Sequence, residues 1–508
     1  MDRNSHIYQT YVNILKHELI CAMGCTEPVA LAYCAAVARS VLGGLPDRIK
    51  VEASGNIIKN VKSVVVPNTG GRRGIAAAAA VGVLGGNENA GMQVIANVPD
   101  EVKNQLGAFL EQTPIEVAPL DSPCVLDMIV TVSKGEKSAK VRIADEHTNI
   151  VYIEKDGKEL NIASVSASAE KDAPSAAPSA SSGNASDACS DGTSGGASDA
   201  CSDDATGESS DACSDGATGE SSDACSDGAT GESSDACSHD ASGEASAPEN
   251  DPENSLDYSL LTVRGIYDFA CTCDLEDVCP VIERQIRMNT AISDEGLRSD
   301  YGANIGKVLL KGGTDVRTRA KARAAAGSDA RMNGCELPVV ICSGSGNQGM
   351  TASLPVIEYA KELQADHETL LRALLISNLT TLHAKAGIGR LSAYCGAVSA
   401  GAGAGAGIAY LYGGDEEDIA HTIVNTLAIS SGIVCDGAKS SCAAKIATAV
   451  ETGILGFEMY RNGQQFYDGE GLVVKGVENS IDNFSRLGRV GMRETDREII
   501  LMMTEKAF

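Results

Sequence analysis

Apolar positions near the start of the chain recur at helical spacing. Ile7, Tyr11, Ile14, Leu15 and Leu19 share one face, which predicts an amphipathic helix from His6 to Leu19. A second helix should follow the turn Met23-Gly24-Cys25-Thr26-Glu27-Pro28 and run to about Val41, stopping at Gly43-Gly44. Thr26 suits its N-cap, and a Pro is tolerated in the first turn. The pattern then shortens to strand spacing in Ile49–Ala53 and Val61–Val66, with Ser-Gly-Asn between them. Pro67-Asn68-Thr69-Gly70-Gly71-Arg72-Arg73-Gly74 opens an Ala-rich helix from Ile75. Further strands are predicted at Val125–Val132, Ala139–Ile143 and Asn149–Glu154, with Lys134-Gly135-Glu136-Lys137 as a hairpin turn. The fold class is α+β, with N-terminal helices beside a small mixed or antiparallel sheet.

From Leu256 onward the spacing is helical. Leu260–Cys271, Asp277–Asn289, Met350–Leu363 and Leu370–Lys385 read as helices. Val339–Cys342 leads into the Gly-rich segment Ser343–Gly349. Ala400–Ile408 alternates Ala with Gly, a weak helix former. Such a helix makes sense only when buried, with helices or a cofactor against its backbone. The C-terminal part is therefore expected to be a mainly α-helical domain packed around a cluster site.

Between these parts lies a segment of another kind. SSDACSDGATGE recurs with a period of twelve, in complete copies from Ser209 and Ser221. Almost no aliphatic residues interrupt it, so nothing offsets the entropy of ordering it. It reads as a solvated, repeat-expanded insert, and the chain divides into 1–163, 164–254 and 255–508. Metal binding or crosslinking by its cysteines is the competing reading. The insert holds 20 of the 69 acidic residues against one Lys, so it carries most of the formal charge of −28. What remains is ordinary for a cytoplasmic enzyme, the expected location. No basic stripe interleaved with aromatics points to nucleic acid. No apolar run reaches the ~20 residues of a spanning helix. Neither an apolar signal core nor an Arg-rich transit pattern opens the sequence. A small-molecule substrate and a homodimer are the expected partners.

Seventeen cysteines carry the chemistry, and five of them (Cys189, Cys201, Cys213, Cys225, Cys237) belong to the repeat. Clustered Cys in a long intracellular chain point to metal ligation or catalysis. Cys435 and Cys442 flank a short bend before an Ala-rich helix, and Cys395 lies forty residues upstream of Cys435. Three thiolates can hold an iron–sulfur cluster with one iron left open. A structural zinc site fits the spacing as well. Cys25 at a helix N-terminus should have a lowered thiol pKa; a small buried Cys at a turn explains the same pattern. Asn68-Thr69-Gly70 and Ser345-Gly346-Asn347-Gln348, at helix starts, are candidate carboxylate seats. Neither is a Walker loop. Lys385 and Lys439 are candidate cations, and His383 a candidate titrating group. Surface-lysine and capping-histidine roles account for Lys439 and His383 equally well.

GCTEPVALAYCAA, PNTGGRRG, CSGSGNQGMTASLPV, SNL followed by His383 and Lys385, SAYCG and SGIVCDGAKSSCAAK together resemble the L-cysteine desulfidase family. That family is related to the α-region of bacterial iron–sulfur L-serine dehydratases. The resemblance covers most of residues 5–160 and 258–505. It implies that Cys395, Cys435 and Cys442 ligate an oxygen-sensitive [4Fe–4S] cluster. It also implies that Cys25 acts near the open iron, as base or as displaceable fourth ligand. The implied reaction is α,β-elimination of L-cysteine to sulfide and 2-aminoacrylate, which hydrolyses to pyruvate and ammonia, without pyridoxal phosphate. Within this reading Lys385 joins Cys25 in catalysis, and Asn68, Thr69, Ser345, Asn347 and Gln348 bind substrate. L-Serine dehydration is the close variant. A non-catalytic zinc or iron–sulfur protein, structural or sensory, is the alternative of another class.

Overall fold

In the computed structural model, residues 1–162 and 256–504 are described, and the acidic repeat lies outside them. Both flanks of the repeat belong to one unit. The predicted first helix forms at His6–Glu18, capped by the Ser5 hydroxyl, which accepts from Tyr8 N. The second spans Thr26–Leu42 and ends at Gly43 in the left-handed region, φ 84°.

A six-stranded sheet lies against this second helix. Its strands are β2 (Arg48–Ala53), β3 (Ile115–Pro119), β4 (Asp127–Lys134), β5 (Lys137–Ala144), β6 (Ile150–Lys155) and β7 (Lys158–Glu159), in the order β3-β2-β4-β5-β6-β7. Only β2 and β3 are parallel. The predicted hairpin pairs Lys134 with Lys137. Met128, Val130 and Val132 on β4, with Ala139, Val141 and Ile143 on β5, are buried, as strand alternation demands. Further helices cover Gly74–Gly85 and Asp100–Gln112.

The strand expected at Val61–Val66 is not formed. Gly55–Val61 is a helix, and Val64–Val66 is buried loop with one isolated bridge from Val65 to Arg73. A short apolar run that is buried all round has no period to declare its type.

The C-terminal part is helical. Its long helices are Val263–Thr272, Cys279–Arg298, Val316–Met332, Gly346–Glu362, His367–Ala386, Gly396–Leu411, Glu416–Ser430 and Cys442–Arg461. The Ala/Gly helix Gly396–Leu411 lies at their centre. A Cβ on Gly401 would stand 2.4 Å from Ala449 O, and one on Gly403 would stand 2.3 Å from Ser377 O. Glycine lets helices approach on two sides at once, so the weak propensity is offset by packing on helices. The helix expected from Met350 begins earlier, at Gly346, so the Gly-rich segment supplies its first turn.

A two-stranded antiparallel ribbon joins the two flanks. Strand β1 (Cys21–Met23) pairs with β8 (Pro338–Val340), Cys21 opposite Val340. It holds Gly24-Cys25 beside the segment that follows β8, and that juxtaposition builds the site. Among the described residues no helix is long and apolar enough to cross a membrane.

Candidate active site

Four cysteines from distant parts of the chain line one cavity of about 110 Å³: Cys25, Cys395, Cys435 and Cys442. Local backbone geometry explains the grouping. Cys395 N donates to Ile433 O at 3.1 Å and Cys435 N to Ala393 O at 2.6 Å, a short antiparallel bridge that sets these two segments together. Cys442 starts the helix Cys442–Arg461. Gly437 between them has φ +92°, and a Cβ there would meet Lys59 O at 2.3 Å. The loop is thus pressed against the N-terminal helix Gly55–Val61. Cys442 in turn packs on the small cluster of Cys25, Val64 and Met332. Lys59 is itself buried and paired with Asp496 at 2.5 Å.

The three C-terminal thiols are half-buried, while Cys25 is buried. Burial first, and the neighbouring Cys435 second, push the Cys395 thiol up; burial also raises Cys442. Lys385, buried at the same cavity, is lowered to about 8 by burial, against the opposing pull of Cys435 and Cys395. Lys445 and Arg390 add two further cations to the lining. Half-exposed thiols ringed by cations form a donor set for an anionic metal–sulfur group. Among the described residues no three His, Cys, Asp or Glu side chains gather as ligands of a single ion.

The expectation of a low-pKa Cys25 is corrected. Cys25 is the N-cap residue of Thr26–Leu42, but its Sγ lies 3.2 Å from Glu27 Oε2. Burial, then the Glu27 charge, push the thiol well above its usual value. Desolvation and a like charge outweigh the helix dipole, and the thiol serves as a donor. Glu27 accepts also from Thr26 Oγ1 at 3.0 Å and from Asn60 Nδ2 at 3.1 Å. Burial alone would raise this carboxyl, yet His147, the Cys25 thiol and Arg331 together hold it below its ordinary value.

The rest of the cavity lining is largely polar. His147 comes from the turn between β5 and β6 and is 7% exposed; its Nε2 has no partner. Burial lowers its pKa, with Glu27 and Glu146 opposing and Arg390 and Arg331 assisting. Arg390 Nη2 reaches Glu146 at 2.8 Å and Glu18 at 3.4 Å, which anchors that turn. Ser345, Asn347 and Gln348 line the cavity as expected for substrate contacts, and Asn347 Oδ1 and Gln348 Oε1 are buried without partners. Each such atom left dry costs about 1–3 kcal/mol. Several in one cavity mark a place kept for a polar ligand.

Asn68 and Thr69 are not among the cavity-lining residues. Asn68 Nδ2 donates to Ile95 O at 2.7 Å, and Thr69 Oγ1 donates to Val66 O at 2.7 Å. Both side chains hold their own loop together. Lys439 pairs with Asp436 at 2.5 Å, and His383 with Glu478 at 2.6 Å, outside the cavity.

Fold and site define a class: a mixed α+β protein with a helical C-terminal region, whose thiol-lined cavity also draws on the N-terminal flank. The family profile described as serine dehydratase alpha chain matches residues 157–501, and the chain belongs to that family. It is 49% identical over 504 residues to a UPF0597 protein of Desulfitobacterium hafniense, covering 99% of this chain and 98% of that protein. It is 44% identical over 498 residues to a UPF0597 protein of Lachnoclostridium phytofermentans, covering 98% and 100%. A UPF0597 protein of Finegoldia magna is 39% identical over 499 residues, covering 98% and 100%. The profile stops short of Cys25, Glu27 and His147, whereas the matches to these relatives take in nearly the whole chain.

Proposed function

We propose that this chain is a lyase that removes the β-substituent of L-cysteine by α,β-elimination, without pyridoxal phosphate. The observation that carries the reading is one cavity lined by Cys395, Cys435 and Cys442 together with His147, Glu27 and the Ser345–Gln348 turn. Cys395, Cys435 and Cys442 would hold a [4Fe–4S] cluster. When bound, such a group supplies a Lewis-acidic iron for the β-leaving group.

The chain's own residues do the rest. The first-turn amides of Gly346–Glu362 and the Ser345, Asn347 and Gln348 side chains receive the amino-acid head group. His147 Nε2, neutral and unpartnered, takes the α-proton. The Cα–H electron pair becomes the Cα–Cβ double bond, the Cβ–S bond breaks, and sulfur leaves with its electron pair. Lys385, at about 8, returns a proton to that sulfur. The product 2-aminoacrylate tautomerises, and water releases pyruvate and ammonia. Cys25, kept as a thiol by burial and by Glu27, is not the base in this scheme.

L-Serine is the second reading, favoured by the name of the family to which the chain belongs. Anaerobically purified full-length protein, assayed for sulfide from L-cysteine and pyruvate from L-serine, tests both. A brown protein whose visible absorption bleaches in air and which releases sulfide supports the proposal. A colourless protein holding one zinc, inactive on both substrates, would overturn it.

A further inference from the structure

Several buried polar atoms without partners lie at this cavity, and the most costly of them is a guanidinium nitrogen. Arg331 is 1% exposed, near the end of the helix Val316–Met332. Its Nε donates to Gly24 O at 2.8 Å, while its Nη2 has no partner. The side chain lies flush on Gly346, where a Cβ would stand 2.5 Å from Nε and 2.9 Å from Cζ. The guanidinium is thus held along one edge against the first turn of Gly346–Glu362, whose N-cap Ser345 makes no side-chain cap hydrogen bond. A nearby acid, Glu27, is already engaged by Cys25, Thr26 and Asn60. Glu27 offsets the charge of Arg331 through space, but the free Nη2 donor, beside a helix start with no side-chain cap, leaves room for a second anion.

We propose that Arg331 and the first turn of Gly346–Glu362 form the seat of the substrate's α-carboxylate. The unpartnered acceptors Asn347 Oδ1 and Gln348 Oε1 on the same turn are left for the α-ammonium. The site then takes free α-amino acids with short side chains and rejects amines and amides that lack the carboxylate. This assignment rests on the elimination reading for its reaction, but not for its binding chemistry.

The test is equilibrium binding by titration calorimetry to anaerobically purified full-length protein. L-Alanine, which has no leaving group, is compared with L-alaninamide, for wild type, Arg331→Gln and Arg331→Lys. Wild type should prefer L-alanine by roughly 10- to 150-fold, the scale of a hydrogen bond to a charged group. Arg331→Gln should lose that preference by weakening L-alanine alone, and Arg331→Lys should restore part of it. A purely structural role for Arg331 would weaken both ligands equally. The proposal is overturned if wild type binds the two equally, if it binds neither, or if folded Arg331→Gln keeps the preference. Should Arg331→Gln fail to fold, the wild-type comparison with Arg331→Lys decides. Carboxylate-selective binding without turnover of L-cysteine or L-serine would leave the seat standing and sink the elimination reading.

Discussion

The cavity has two walls of unlike construction. Cys395, Cys435 and Cys442 come from loops between the C-terminal helices, are half-buried, and are positioned by backbone hydrogen bonds and by Gly437 pressed on Lys59. Glu27, His147 and Arg331 come from a helix start, a strand turn and a helix end, are almost wholly buried, and keep free hydrogen-bonding atoms at His147 and Arg331. One wall offers soft donors, with Cys395 and Cys442 raised chiefly by burial. The other is already charged and desolvated, and calls for a polar ligand. Under the proposed reaction the difference would divide the work: the thiols would hold a prosthetic group, and the buried polar groups would hold and deprotonate the substrate.

Breaking the thiol wall should have the largest effect. Cys435→Ala is expected to lower sulfide or pyruvate release by at least roughly 10³-fold, with loss of visible absorption in anaerobic protein. Activity within tenfold of wild type would remove the thiols from the mechanism. On the polar wall, His147→Gln should lower kcat by roughly 10²- to 10⁴-fold while the absorption and L-alanine binding persist. A variant that keeps its kcat would return the base to Cys25.

The same histidine sets a pH limb. Burial disfavours the imidazolium, so the pKa of His147 lies below the ordinary ~6.5 and the neutral base is the active form. Glu27 and Glu146 face it with negative charge, and Arg390 and Arg331 with positive charge. kcat/KM should therefore be flat near neutrality and fall about tenfold per unit once pH drops below that lowered value. The limb should vanish in His147→Gln, measured by initial rates from pH 5 to 8.

The two walls also differ in how far the amino-acid pattern disclosed them. Thiols stand out because few residue types bind soft metals, and Cys395, Cys435 and Cys442 sit in short loops before helices. Amphipathic helices such as His6–Glu18 and the Lys134–Lys137 hairpin follow from spacing alone. Arg331 gives no such signal, since it closes an Ala-rich helix and its contacts run to Gly24 O, distant in the chain, and to Gly346 at the start of the next long helix. His147 lies in a polar turn that reads as surface, and Arg390 and Gly344, from the other flank, tie that turn into the site. Asn68 and Thr69 are not among the cavity-lining residues. Polar side chains in a Gly-rich loop satisfy the loop's own backbone as readily as a ligand. Cys25 was visible, but its burial, aided by the Glu27 carboxylate beside it, reverses the sign of its pKa shift.

The smallest expected effect sharpens the division most. Gly437→Ala removes no functional group, yet φ +92° disfavours any Cβ, and this one would meet Lys59 O at 2.3 Å. The loop between Cys435 and Cys442 must shift, at a cost of about 1–3 kcal/mol, read as a lowered thermal midpoint. Arg331, His147 and Glu27 do not touch that glycine in the contacts that hold them. If the walls are independent, cluster absorption should fall in Gly437→Ala while L-alanine affinity stays within about threefold of wild type. A matching loss of ligand affinity would show that the thiol loop also shapes the polar wall, and the two would then have to be treated as one device.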